Sequence, residues 1–87
     1  MLVLFSTVFK KQYKKLPHPI QKKFNERFGL FISNPFHPLL GNHPLKGDYA
    51  SCQSINITGN YRAIFYEERT GFVRFISIGT HSGLYRK

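Results

Sequence analysis

Acidic residues are scarce in this chain. Four Asp and Glu stand against thirteen Lys and Arg in 87 residues, a formal net charge of +9. Cysteine is nearly absent too: Cys52 is the only one, and there is no tryptophan. One cysteine excludes an intramolecular disulfide, whereas a secreted domain of this size is ordinarily stapled by several. No apolar run approaches the ~20 residues that cross a bilayer. The opening Met1-Leu2-Val3-Leu4-Phe5 is apolar but lacks a basic flank and a small-residue cleavage site, so it reads as a first strand rather than a signal peptide. A cytoplasmic protein with no membrane partner is expected. The four His and Cys52 show none of the i,i+3 or i,i+4 pairs of a zinc site, and no glycine-rich phosphate loop is present. The acids are too few for a two-metal nuclease. No metal and no cofactor are therefore expected.

What the chain does have is positive charge and aromatic bulk. A net charge this far from zero works against the compact state, so it is usually kept for a polyanionic or acidic partner. Nucleic acid is the first candidate, an anionic membrane the second and an acidic binding protein the third. A chain of this length has room for one core, giving a single domain over residues 1–87. Such a domain buries only roughly 60–65% of the surface its unfolded form exposes. Nine Phe and five Tyr supply the bulk it needs.

The apolar period changes partway along, from helical to alternating. Leu2 to Phe5 reads as a strand, after which Ser6 or Thr7 can cap a helix. Phe9, Tyr13 and Leu16 form one stripe on that helix, with Lys10, Lys11, Lys14 and Lys15 largely outside it. Pro17 stops the helix and Pro19 opens a second at its first position. Ile20, Phe24, Phe28, Phe31 and Ile32 carry the helical spacing on to Asn34-Pro35. The connection is short, so the two helices form an antiparallel hairpin. Residues 36 to 48 read as an ordered loop. Cys52–Ile57, Tyr61–Glu67 and Phe72–Ile78 read as strands joined by turns at 58–60 and 69–71. Short turns make consecutive strands antiparallel. The expected architecture is α+β, in the order β-α-α-β-β-β, with the hairpin on one face of a four-stranded antiparallel sheet. Alternation places Ala63 and Phe65 under the helices, and Arg62 and Tyr66 on the open face.

Without metal, RNA can be cut through its own 2′-OH. That route needs a base for the hydroxyl proton, cations for the phosphorane charge and an acid for the leaving oxygen. The chain's His, Lys, Arg and Tyr suit those tasks. Three stretches then carry a resemblance. His43-Pro44-Leu45-Lys46-Gly47-Asp48-Tyr49 resembles the loop before the second strand of YafQ-type toxins. Gly59-Asn60-Tyr61-Arg62-Ala63-Ile64-Phe65 resembles the Gly-x-Tyr-Arg strand of the RelE/ParE superfamily. Ile78-Gly79-Thr80-His81-Ser82-Gly83-Leu84-Tyr85 resembles the C-terminal signature of the YafQ branch. The three occur in the right order over the whole chain.

The resemblance implies a toxin of a type II toxin–antitoxin system, an mRNA endoribonuclease acting on the ribosome and silenced by an acidic antitoxin in a hetero-oligomer. It implies His81 as general acid and Tyr85 as the terminal aromatic that stacks on a base or positions the phosphate. Arg62 matches the strand arginine that stabilises phosphate charge, and His43 a loop histidine of the site, with Lys46 a cation beside it. Lys46, Asn56, Asn60, Arg74, Lys10 and Lys14 are the expected RNA contacts. The chain departs from the pattern at Asn56, where the family has His, at Asn60, where it has Asp, and at Gln53, often Arg. Asn takes no proton, so the base passes to His43, with Tyr85 or Lys46 in reserve.

Plainer readings stand beside these. His81 can close a turn, Tyr85 can pack on the core, and Arg62 can pair with Glu67 or Glu68. Two other functions fit the composition: a ParE-like toxin that inhibits gyrase by binding, and a non-catalytic nucleic-acid-binding module.

Overall fold

The computed structural model describes residues 1–85. Strand β1 (Leu2–Phe5) leads through Ser6 into helix α1 (Thr7–Lys14). Ser6, not Thr7, is the cap. Its hydroxyl accepts the Phe9 amide at 3.0 Å and donates to the Ile76 carbonyl at 3.1 Å, so one side chain both starts the helix and ties it to a distant strand. Helix α2 spans His18–Ser33, with Pro17 outside it and Pro19 at its second rather than its first position. It ends at Asn34, whose amide still reaches the Leu30 carbonyl.

After a 3₁₀ turn at Pro38–Leu40 come β2 (His43–Pro44), a second 3₁₀ turn at Gly47–Tyr49, β3 (Gln53–Asn56), β4 (Tyr61–Arg69), β5 (Phe72–Thr80) and the five-residue helix α3 (His81–Tyr85). The fold is α+β as expected, but the sheet is mixed and has five strands in the order β1-β5-β4-β3-β2. Two corrections to the four-stranded antiparallel sheet follow. The loop contributes its own short edge strand, because the Leu45 amide closes on the Cys52 carbonyl and aligns His43 with Ser54. Pro44, which cannot donate to a ladder, is tolerated at such an edge. Secondly, β1 runs parallel to β5, with Leu2 opposite Phe72. No short turn constrains β1, since the helical hairpin carries the chain across the sheet before it returns.

Helices and sheet meet over aromatic rings. Phe9, Phe24, Phe31, Phe65 and Phe75 are at most 3% exposed, with Phe5, Tyr13 and Phe28 packed against them. Ala63 and Phe65 lie under the helices as the alternation requires. Ile64 is fully buried as well, on the opposite face of β4 beside Arg62. A bulge at Ile76 lets Phe65 face Phe75 while Ile64 faces Ser77.

β1 reaches only to Phe75 along β5, and α1 completes the edge beyond it. The Gln12 Oε1 accepts the Ile78 amide at 2.8 Å and the Ser77 hydroxyl at 3.1 Å. Ile78 is 2% exposed, so Gln12→Leu strands a buried N–H. An expected loss of about 1–3 kcal/mol would show as a lower urea midpoint, and Gln12→Glu, which keeps the acceptor, should lose less. Equal losses in the two variants would count against this role.

Candidate active site

On the face of the sheet away from the helices, strand periodicity lines up Asn56 of β3 with Arg62 of β4, directly opposite each other in the antiparallel ladder. A cleft of about 460 Å³ opens there, lined by Gly41, His43, Leu45, Lys46, Asn56, Arg62, His81 and Tyr85. No carboxylate is among these residues. Lys46 and Arg62 bring two cations, and His43 and His81 bring two imidazoles. Such a wall attracts an anion and can move protons around it.

Gly41 shapes one side. It ends the Pro38–Leu40 turn in the left-handed region (φ 54°), which a glycine adopts without strain. A Cβ at this position would fall 2.5 Å from the Asn56 side-chain amide nitrogen, so any other residue here would push that carboxamide aside. The Gly41 carbonyl lies 2.8 Å from His43 Nδ1. A carbonyl only accepts, so in the neutral ring Nδ1 carries the hydrogen and Nε2 is an acceptor with no partner among the described residues. His37 is arranged the opposite way. Its Nδ1 accepts the Leu39 amide at 3.2 Å, and it caps the turn outside the cleft.

Arg62 forms no ion pair with Glu67 or Glu68. One guanidinium nitrogen instead donates to the carbonyls of Thr58, Gly59 and Tyr61 at 3.1–3.3 Å. The turn therefore fixes the head group without neutralising it. His81 follows β5 directly, its amide donating to the Asn60 carbonyl at 2.8 Å. Its side chain stays exposed and meets Tyr85 edge-on at 4.7 Å. Tyr85 packs against His81 and Tyr49 rather than into the main core.

Of the ten residues expected to act in the site, the cleft gathers His43, Lys46, Asn56, Arg62, His81 and Tyr85. Asn60 takes part through its backbone alone, as the anchor of α3. Lys10 and Lys14 lie on α1, across the sheet, where Lys10 borders an apolar groove between the helices. Arg74 faces Tyr66, four residues along β4 from Arg62, or about 13 Å at the usual strand rise. It is paired with Glu68, so the ion pair considered for Arg62 belongs to Arg74. Sequence reasoning missed Gly41 and Leu45. A glycine followed shortly by a histidine was the available signal, but only the structure puts it against Asn56.

The Glu68 carboxyl is held below the usual carboxylate range, first by the hydrogen bond from Arg74 and also by the Tyr66 hydroxyl. A depressed folded value means that the pair's contribution is complete above the ordinary Glu range and is lost as pH falls through the folded value. Carboxyl NMR should therefore give Glu68 a midpoint below the ordinary Glu range, returning toward it in Arg74→Gln. A midpoint that does not move in Arg74→Gln would show that the pair does not form in solution.

No protein-family model matches this sequence, and no curated protein matches it. Solved structures do match its fold. The YoeB/ParE toxin from Agrobacterium tumefaciens is 24% identical, with 93% of this chain and 99% of that one covered and a TM-score of 0.76. YafQ from E. coli strain BL21(DE3) is 22% identical over 95% and 96%, also at 0.76. A chain of the toxin–antitoxin complex RelBE2 from Mycobacterium tuberculosis is 24% identical over 92% and 96%, at 0.74. The chain has the RelE/YafQ-like toxin fold, as the three motifs implied.

Proposed function

We propose that this protein is the toxin of a type II toxin–antitoxin pair and an endoribonuclease that cuts mRNA on the ribosome. The observation that carries the reading is the cleft itself, where two imidazoles and two cations converge with no carboxylate among its lining residues. That set suits RNA cleavage by 2′-OH attack, and the fold is that of toxins. His43 Nε2, the acceptor nitrogen, takes the 2′-OH proton. The 2′-oxygen then bonds to phosphorus, Lys46 and Arg62 balance the charge on the non-bridging oxygens, and His81 protonates the departing 5′-oxygen. The products are a 2′,3′-cyclic phosphate and a 5′-hydroxyl. Tyr85, beside His81, meets the base or the phosphate. Asn56 offers a carboxamide for binding where a proton acceptor is not required.

A +9 chain calls for an acidic partner, and the cognate antitoxin supplies it by covering the basic cleft or displacing α3. That complex should loosen as salt rises. The whole chain acts as one cytoplasmic domain. The testing experiment is a short pulse of expression followed by mapping of new mRNA 5′ ends, with and without active translation. New ends that appear only on translated messages are expected. DNA breaks and an SOS response without RNA cleavage would replace this reading with gyrase inhibition.

A further inference from the structure

Helix α3 brings two side chains to the cleft but has little of its own to hold it. Five residues are scarcely more than one helical turn, far below the length at which a helix persists unaided. It is tied down at three points. The His81 amide meets the Asn60 carbonyl, the Gly83 amide donates to Thr80 Oγ1 at 3.0 Å, and Leu84 lies over Gly79. The far end is met by Tyr49, a residue outside the cleft wall. The Tyr49 hydroxyl donates to the Leu84 carbonyl at 3.4 Å, and its ring stands edge-on to Tyr85 at 6.1 Å and 84°. Tyr85 in turn stands edge-on to His81. Tyr49 is itself anchored, because its carbonyl accepts the Cys52 amide at 2.8 Å where the chain enters β3.

We propose that Tyr49 is a positioning residue, passing the rigidity of β3 through Tyr85 to His81 and so keeping that imidazole turned toward the cleft. The inference rests on His81 acting as the general acid. Lys46 lies at the head of the same 3₁₀ turn, so one short loop sets both a cation and the acid. Ring contacts of this kind are individually weak, and their value here lies in orientation.

The test uses Tyr49→Leu, which removes both contacts, and Tyr49→Phe, which removes only the hydroxyl. In the intact protein, the Tyr85 ring should displace the His81 imidazole proton signals from those of the exposed His18, and NOEs should join the Tyr49 and Tyr85 rings. Tyr49→Leu should bring the His81 signals toward those of His18. In ribosome-programmed cleavage it should lower kcat about 100-fold with KM little changed. Tyr49→Phe should keep the displaced signals and lose roughly tenfold at most. Unmoved His81 signals in folded Tyr49→Leu, or a loss confined to KM, would overturn the proposal. Should the Leu variant not fold, absence of the Tyr49–Tyr85 NOEs in the unaltered protein, or collapse of the displaced signals in Tyr49→Phe, would overturn it as well. Were the unaltered protein to cut no RNA, the imidazole signals would still decide the clamp independently of the function.

Discussion

Replacing His81 by Ala is expected to lower RNA cleavage by about 10²–10⁴-fold, the usual worth of a positioned acid or base, and to leave the fold as it is. The second half of that expectation follows from the surroundings of the side chain. His81 is exposed, its imidazole has no hydrogen bond among the described residues, and its backbone amide holds α3 to Asn60. Alanine keeps that amide. The lost ring contact with Tyr85 lies at the surface, so thermal unfolding should barely move. Cleavage should fail because the 5′-oxygen would then have to leave as an alkoxide, with no proton from the wall it faces. The measurement pairs induced growth arrest with 5′-end mapping of the message, beside circular dichroism of the purified variant. Persistent arrest with unchanged cleavage sites would remove His81 from the mechanism. Arrest without cleavage in the unaltered protein would remove the ribonuclease reading altogether.

The second large effect is on stability. Phe75 has ring centroids of six other phenylalanines around it: Phe65 at 5.1 Å, Phe31 at 5.3 Å, Phe5 at 5.7 Å, Phe9 and Phe28 at 5.9 Å, and Phe24 at 6.2 Å. It is fully buried on the central run of β5 and touches rings from β1, both long helices and β4. Phe75→Ala removes the one side chain they share, and so many rings around a fixed backbone collapse poorly into the gap. A loss of about 3–5 kcal/mol is expected, against a total of about 5–15 kcal/mol for a small domain. Urea unfolding followed by circular dichroism should show a much lower midpoint, or a chain already unfolded without denaturant. Phe75→Leu, which refills most of the space, should lose clearly less. A shift below 1 kcal/mol for the alanine variant, roughly that of an ordinary surface change, would mean that Phe75 is not the keystone of the aromatic cluster.

Local chemistry was legible and distant pairing was not. The helical spacing of Phe9, Phe24, Phe28 and Phe31, the Ser6 cap and the stop at Asn34 are written in residues a few positions apart, and each appears in the structure. Turns at 58–60 and near 70 fixed the antiparallel partners of β3, β4 and β5. Nothing local says that Leu2 lies beside Phe72, because parallel partners have no turn to announce them. The same limit explains Arg62 and Arg74. Both alternate onto the open face, and either was in reach of Glu68 on paper. The bulges along β4 and β5, invisible to a strict period of two, bring Arg74 to the carboxylate and leave Arg62 to the carbonyls of its own turn. In the site, the motifs named the side chains that converge. The glycine whose missing Cβ leaves room for the Asn56 carboxamide, and the Tyr49 behind α3, act through space rather than through spacing.

The parallel pairing of β1 with β5 has a consequence for when the protein comes into being. The Ser6 hydroxyl finds its carbonyl partner 70 residues further along, and β5 stands between β1 and β4 in the sheet. As the chain emerges during synthesis, its first strand has no neighbour to pair with until Phe72–Phe75 arrives, and Phe75 is the ring on which the core closes. His81 follows only after that. Contacts of such long reach fold late. The hairpin, the β2–β4 meander and their basic side chains are all made before a working cleft can exist. The cleft of a nascent chain therefore stays incomplete until β5 is in place.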